Sequence, residues 1–316
     1  MKIGFIGLGN VGGKLAGSLL RNGYDLTVRD LNNELAAPFL DGGAKWCDSP
    51  KQMVETVDLV ITCLPNPAAS ATVMEDEDGI IAGLSSGKIW AEMSTTDDKE
   101  VKRLGKIVQK LGGEALDCPV SGGCHRAVTG NISIFVGGER SSFEKILPVM
   151  KVLGRRILHT GVLGSASVLK VLTNYLATAN LVSLCEALTT AKKVGMDLGT
   201  TYEAIRISSG NSFVHETESQ VILNGSRDIN FTMDLVLKDI SLFQSIADSA
   251  GVPLEISPLL IDIFKDGEQR FGSREWSSNI IRRLEEACET QILASGFPPQ
   301  MVDDESEVSG KEVVVR

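Results

Sequence analysis

The chain has 316 residues, 43% of them hydrophobic and 23% charged, with a formal net charge of -10. That length and apolar content suit two domains with substantial cores and exclude wholesale disorder. The acidic balance excludes nucleic acid and anionic membranes as partners drawn in by the overall field, which leaves small molecules and copies of the chain itself.

The first strand opens directly at Met1-Lys2-Ile3. With no charged lead or cleavage site before it, the expectation is no signal peptide and a cytoplasmic location. Short runs rich in Val and Ile at residues 2–6, 26–28, 59–63, 89–91 and 132–136 alternate with helical patterns. This alternation predicts βαβ units, and hence an α/β fold whose residues 1–160 form a Rossmann-type, doubly wound parallel sheet. Six cysteines (Cys47, Cys63, Cys118, Cys124, Cys185, Cys288) lack CxxC or Cys/His spacing, so reduced thiols and no metal site are expected.

From Gly161 the pattern becomes helical, which predicts an all-α C-terminal domain over 161–296. Residues 164–195 contain no proline and no internal glycine, so they read as one long interdomain helix bounded by Gly164 and Gly195. Such a helix would span about 45 Å, more than one small domain covers, so a homodimer or homotetramer is expected. The apolar stretch within it carries Lys170, Asn174 and Asn180, too polar for a membrane span. After Pro298-Pro299 the chain turns acidic and loses any helical apolar face; residues 297–316 read as a polar, disordered tail.

Gly7-Leu8-Gly9-Asn10-Val11-Gly12 follows the first strand and opens a helix. That is the context a dinucleotide fingerprint needs: a tight turn, a backbone able to approach a pyrophosphate, and a helix packed close on its strand. Asp30, about twenty residues on, stands at the end of the second strand, where a carboxylate accepts hydrogen bonds from ribose hydroxyls. Leu64-Pro65 and Ser94-Thr95 follow two further strands, at the carboxyl ends where doubly wound sheets bind ligands. Lys170 and Asn174 are four apart and share one face of the long helix.

Together with Asp117-Cys118-Pro119-Val120-Ser121-Gly122-Gly123 and Phe231…Lys238-Asp239, these segments resemble the β-hydroxyacid dehydrogenase family, which includes 3-hydroxyisobutyrate dehydrogenase and tartronate semialdehyde reductase. The likeness runs from about Lys2 to Leu284. It implies hydride transfer between NAD and the hydroxyl-bearing carbon of a small β-hydroxy acid. Lys170 would be the general acid/base and Asn174 would orient the substrate. Ser121 would donate its hydroxyl to the carboxylate, and Gly122 and Gly123 their backbone amides. Gly7 through Gly12, Asp30, Leu64, Pro65, Thr95, Phe231 and Lys238 would contact the cofactor. Phe231, Leu235 and Lys238 fall at helical spacing, so core packing is the competing reading for Phe231.

The sequence departs from the family pattern at Cys124-His125-Arg126, where small residues are common; Arg126 reads either as contacting a second anionic group on the substrate or as a surface arginine. Family members that use NADP carry Asn-Arg-Thr where this chain has Asp30-Leu31-Asn32, so NAD is the expected cofactor. Arg29 alternates to the opposite face from Asp30. Two rivals share the architecture: a semialdehyde or imine reductase, and an inactive nucleotide-binding module.

Overall fold

The computed structural model describes residues 1–315. They divide into two compact units, Met1–Lys170 joined by residues 303 onward, and Val171–Val302. The division falls inside one continuous helix, Ser165–Lys193, ten residues beyond the boundary expected at 160.

The first unit is built on ten strands: β1 (Lys2–Ile6), β2 (Asp25–Arg29), β3 (Lys45–Trp46), β4 (Leu59–Thr62), β5 (Ile89–Glu92), β6 (Glu114–Asp117), β7 (Val120–Ser121), β8 (Ile132–Gly137), β9 (Gly154–Gly161) and β10 (Lys311–Glu312). Their order is β10-β9-β8-β6-β5-β4-β1-β2-β3, with β7 pairing β8. All pairs are parallel except β6 and β7 against β8. β4 and β5 are buried at every position, as strands covered by helices on both faces must be. Side chains alternate between two apolar layers: Ile3, Phe5, Ile61 and Ala91 face one, and Ile6, Val60 and Trp90 the other. β3, β6, β7, β9 and β10 carry too few consecutive apolar residues to announce themselves in the sequence; Gly-Arg-Arg-Ile-Leu-His-Thr-Gly of β9 is the clearest case.

The second unit is helical. After Ser165–Lys193 come Leu198–Arg206, Phe213–Asn224, Met233–Ala250, Ile256–Phe271 and Arg282–Ala287, packed around Leu188, Ile222, Met233, Ile240 and Phe264. The long helix stops at Gly195, whose φ of 82° lets the Gly195 and Met196 amides turn back onto the Lys192 and Ala191 carbonyls. By length and composition it is apolar enough to cross a membrane. It also carries the buried Lys170 and Asn174, whose side chain is bonded to a carboxylate.

The acidic tail corrects the expectation of disorder. β10 adds to β9 in parallel register, with Lys311 opposite Arg156. Asp303 accepts the Thr129 hydroxyl and the Asn131 amide at 2.7 Å, and Glu305 pairs with Arg155 at 2.6 Å. Arg140 donates to Glu312. The charges that read as solvation in the sequence are matched here by basic and polar groups from the rest of the first unit.

Candidate active site

Three loops of the first unit converge at the carboxyl ends of its parallel strands. Gly7, the first of the glycine run, has a φ of 100°, and a Cβ there would lie 2.3 Å from the Cys63 carbonyl at the end of β4. A Cβ on Gly12 would lie 2.0 Å from the Gly7 carbonyl, so the close turn from β1 into the helix Gly12–Arg21 needs both. Gly9 differs: a Cβ there would meet nothing within 4 Å. No packing among the described residues requires glycine at that position, whereas a pyrophosphate approaching the backbone at the helix N-terminus does. The residues therefore fit a dinucleotide.

Asp30 follows β2 and accepts the Leu8 backbone amide at 2.6 Å through one oxygen and the Asn32 amide at 2.9 Å through the other. It is thus held beside the glycine turn. A carboxylate's remaining lone pairs suffice for a vicinal diol. The Arg29 guanidinium is directed elsewhere, to the Cys47 carbonyl at 3.3 Å and the Asp48 carbonyl.

The Leu64-Pro65 loop is fixed by a network that sequence reading passed over. The Leu64 amide donates to Ser94 Oγ at 2.7 Å, and Ser94 in turn donates to the buried Glu92. Burial pushes the Glu92 carboxyl up, against the lowering effect of its bonds from Ser94. Thr95, partly buried, is adjacent.

Ser121 closes β7, opposite Ser133 of β8, and Gly122 and Gly123 lead into the short helix Cys124–Val128. Cys124 Sγ lies 3.8 Å from the Asn10 carbonyl, which joins this loop to the glycine turn. A Cβ on Gly123 would stand 2.8 Å from the His125 ring. Burial, aided by Arg126, holds the His125 imidazole below its ordinary pKa, with Asp303 opposing. Arg126 runs along Gly122, its Cδ 3.4 Å from a Cβ built there, and its guanidinium faces Glu305 at 3.7 Å. Lys170, 8% exposed, lies in the second turn of Ser165–Lys193.

In the second unit, Asp239 is the hub. One oxygen accepts the Asn174 side-chain amide at 2.5 Å, and the other pairs with Lys238 Nζ at 2.8 Å. Asp239 thus pairs with its neighbour Lys238 and also reaches another helix. Phe231 precedes the helix Met233–Ala250, so the helical spacing that linked it to Leu235 and Lys238 does not apply. It is partly buried against the second core.

Comparison with known proteins agrees with this geometry. Residues 2–161 match the family model described as the NAD binding domain of 6-phosphogluconate dehydrogenase, and residues 164–284 match the NAD-binding region of NADP-dependent 3-hydroxyisobutyrate dehydrogenase. The chain is similar to 2-(hydroxymethyl)glutarate dehydrogenase of Eubacterium barkeri, 33% identical over 94% of this chain and 98% of that protein. It is also similar to the NAD-dependent L-serine dehydrogenase of Pseudomonas aeruginosa, 30% identical over 90% and 97%. The solved 3-hydroxyisobutyrate dehydrogenase of Salmonella typhimurium superposes with a TM-score of 0.82 at 24% identity, over 90% of this chain and 99% of that one, and shows the shared fold. The chain belongs to the β-hydroxyacid dehydrogenase family. It is a hydride-transferring oxidoreductase dependent on a nicotinamide dinucleotide.

Proposed function

We propose that this protein is an NAD-dependent dehydrogenase of a small β-hydroxy acid, with Lys170 as its general acid/base. The observation that carries the reading is the burial of Lys170 in the same folded unit as the glycine turn and the Ser121-Gly122-Gly123 loop. A lysine at 8% exposure is costly unless it has a task.

Ser121 Oγ and the Gly122 and Gly123 amides hold the substrate carboxylate. Lys170 Nζ takes the hydroxyl proton during oxidation and returns it to the forming alkoxide in reverse. Asn174, bonded to Asp239, is assigned to orienting the substrate hydroxyl, and Lys238, paired with the same carboxylate, is assigned to the cofactor together with Phe231. When bound, the nicotinamide supplies the hydride-accepting ring. Gly7, Leu8, Gly9, Asn10, Val11 and Gly12 form the pyrophosphate turn, with Asp30 on the ribose and Leu64, Pro65 and Thr95 along the dinucleotide. Asp30 favours NAD, because a 2′-phosphate there would meet like charge.

Arg126 is assigned to a second anionic end of the substrate, in competition with Glu305; the dicarboxylate in the name of the E. barkeri relative supports this choice. Leu169, Leu172 and Leu176 leave an exposed apolar stripe on the long helix, which supports a homo-oligomer, whereas Leu181 and Leu184 are spent on the protein's own core. We place the enzyme in the cytoplasm.

The test is purified protein with NAD and a panel including 2-(hydroxymethyl)glutarate, 3-hydroxyisobutyrate, glycerate, threonate and L-serine, followed by NADH absorbance. NADH formation on at least one acid is expected. NADH binding without turnover on any of them would favour an inactive nucleotide-binding module.

A further inference from the structure

The long helix Ser165–Lys193 is preceded by Gly164, whose carbonyl accepts the Val168 amide at 3.2 Å. Gly164 has no side chain with which to cap the helix it opens, and the first amides of a helix need acceptors. The acceptor comes from a strand 47 residues earlier. Asp117, fully buried at the end of β6, takes the Gly164 amide at 2.8 Å on Oδ1, and the Ser167 amide at 2.7 Å and Ser167 hydroxyl at 2.9 Å on Oδ2. Ser167 is one helical turn before Lys170.

On its other side, Asp117 is connected to the substrate loop through β8. Asp117 lies opposite Gly137 of β8, and Val120 and Ser121 lie opposite Ile134 and Ser133 of the same strand. The residue between β6 and Pro119 is tied as well, the Cys118 amide donating to the Glu92 carbonyl at 2.6 Å. Gly137 leaves the room this requires, since a Cβ there would lie 2.3 Å from Asp117 Oδ1 and 2.9 Å from Ser165 Oγ. The path from the Asp117 carboxylate to Ser121 is pinned to β8 at both ends. The path from the carboxylate to Lys170 is one turn of helix.

We propose that Asp117 is a positioning residue, whose buried carboxylate fixes Lys170 relative to Ser121 by clamping the first turn of the long helix onto the end of β6. The inference rests on the assignment of Lys170 and Ser121 made above. General acid–base transfer requires hydrogen-bond reach, and a displacement of about 1 Å costs on the order of a hundredfold in rate. Asp117 does this without touching substrate. The carboxylate is needed for its two acceptor oxygens: Asp117→Asn keeps one and turns an NH2 group against either the Gly164 or the Ser167 donors.

A merely structural role would lower stability in every background. A positioning role acts through Lys170 and vanishes when Lys170 is gone, so a double-mutant cycle separates them. Turnover of the acid, its KM and the NADH dissociation constant are measured for Asp117→Asn, Lys170→Ala and the double variant. The expected result is a loss of tenfold or more in kcat for Asp117→Asn, NADH affinity within about twofold of wild type, and less than about twofold further loss when Asp117→Asn is added to Lys170→Ala. Equal losses in both backgrounds, or unchanged kcat in Asp117→Asn, would overturn the inference. Should Asp117→Asn not fold, the cycle is run with Ser167→Ala, which removes only the hydroxyl bond. A loss of about threefold that disappears in the Lys170→Ala background supports the clamp, and no loss or an additive one overturns it. Near wild-type turnover in Lys170→Ala alone is a separate outcome, because it defeats the assignment of Lys170 on which the inference stands.

Discussion

The Leu8 backbone amide donates to the Asp30 carboxylate at 2.6 Å, so the residue proposed to bind the ribose also holds the glycine turn in place. Asp30→Ala therefore removes both a ribose acceptor and the partner of a backbone donor. The specificity constant for NAD should fall by about ten- to a hundredfold, while that for NADP, relieved of like charge, falls less. Steady-state kinetics with both cofactors at fixed acid checks this. An unchanged NAD/NADP ratio would remove Asp30 from cofactor selection.

Gly9 and Gly12 provide a paired test of the dinucleotide fit. Gly9→Ala adds a methyl into open space, so the melting temperature should stay within about a degree or two while the KM for NAD rises tenfold or more. Gly12→Ala drives a methyl to 2.0 Å from the Gly7 carbonyl and should destabilise the fold itself. Thermal melts alongside NAD titrations distinguish them.

Asp239 holds both Asn174 and Lys238. Asp239→Ala leaves the two without their common partner, and kcat/KM for the acid should drop by roughly ten- to a hundredfold, the worth of a charged hydrogen bond. Kinetics under saturating cofactor reads this directly. A loss below threefold would mean that Asn174 does not depend on Asp239 for its position.

The tail makes a pH-dependent contribution. Burial raises the Asp303 pKa, but bonds from Thr129 and Asn131 outweigh it, so the carboxyl sits below its ordinary value in the folded protein. The stability it supplies is present above the unfolded carboxylate pKa and is lost as pH falls through the folded one. Asp303→Asn should melt about 2–4 °C below wild type at neutral pH. The gap should close on acidification, and a gap constant with pH would show that the charge of Asp303 contributes nothing.

What could be read in the sequence, and what could not, follows from the range of the interactions. The fingerprint at Gly7–Gly12, the strands buried on both faces and the helix between Gly164 and Gly195 are local patterns, and each has its counterpart in the structure. Asp117 and Asp239 were not legible as organisers, because a carboxylate's partners 47 to 65 residues away leave no periodic trace, and Glu92 was not, because the Ser94 it holds reaches the Leu64 amide 30 residues away. The tail misled for the same reason. Its acidic residues look like solvation until Arg140, Arg155 and Asn131 are set opposite them.

The most direct test of the central claim is the turnover number of Lys170→Ala on the preferred acid, measured together with its NADH dissociation constant. General acid–base catalysis typically contributes a factor of about a hundred or more, so kcat should fall by at least that much with NADH affinity nearly unchanged. Turnover close to wild type would contradict the account, since the proton would then be moved by another group.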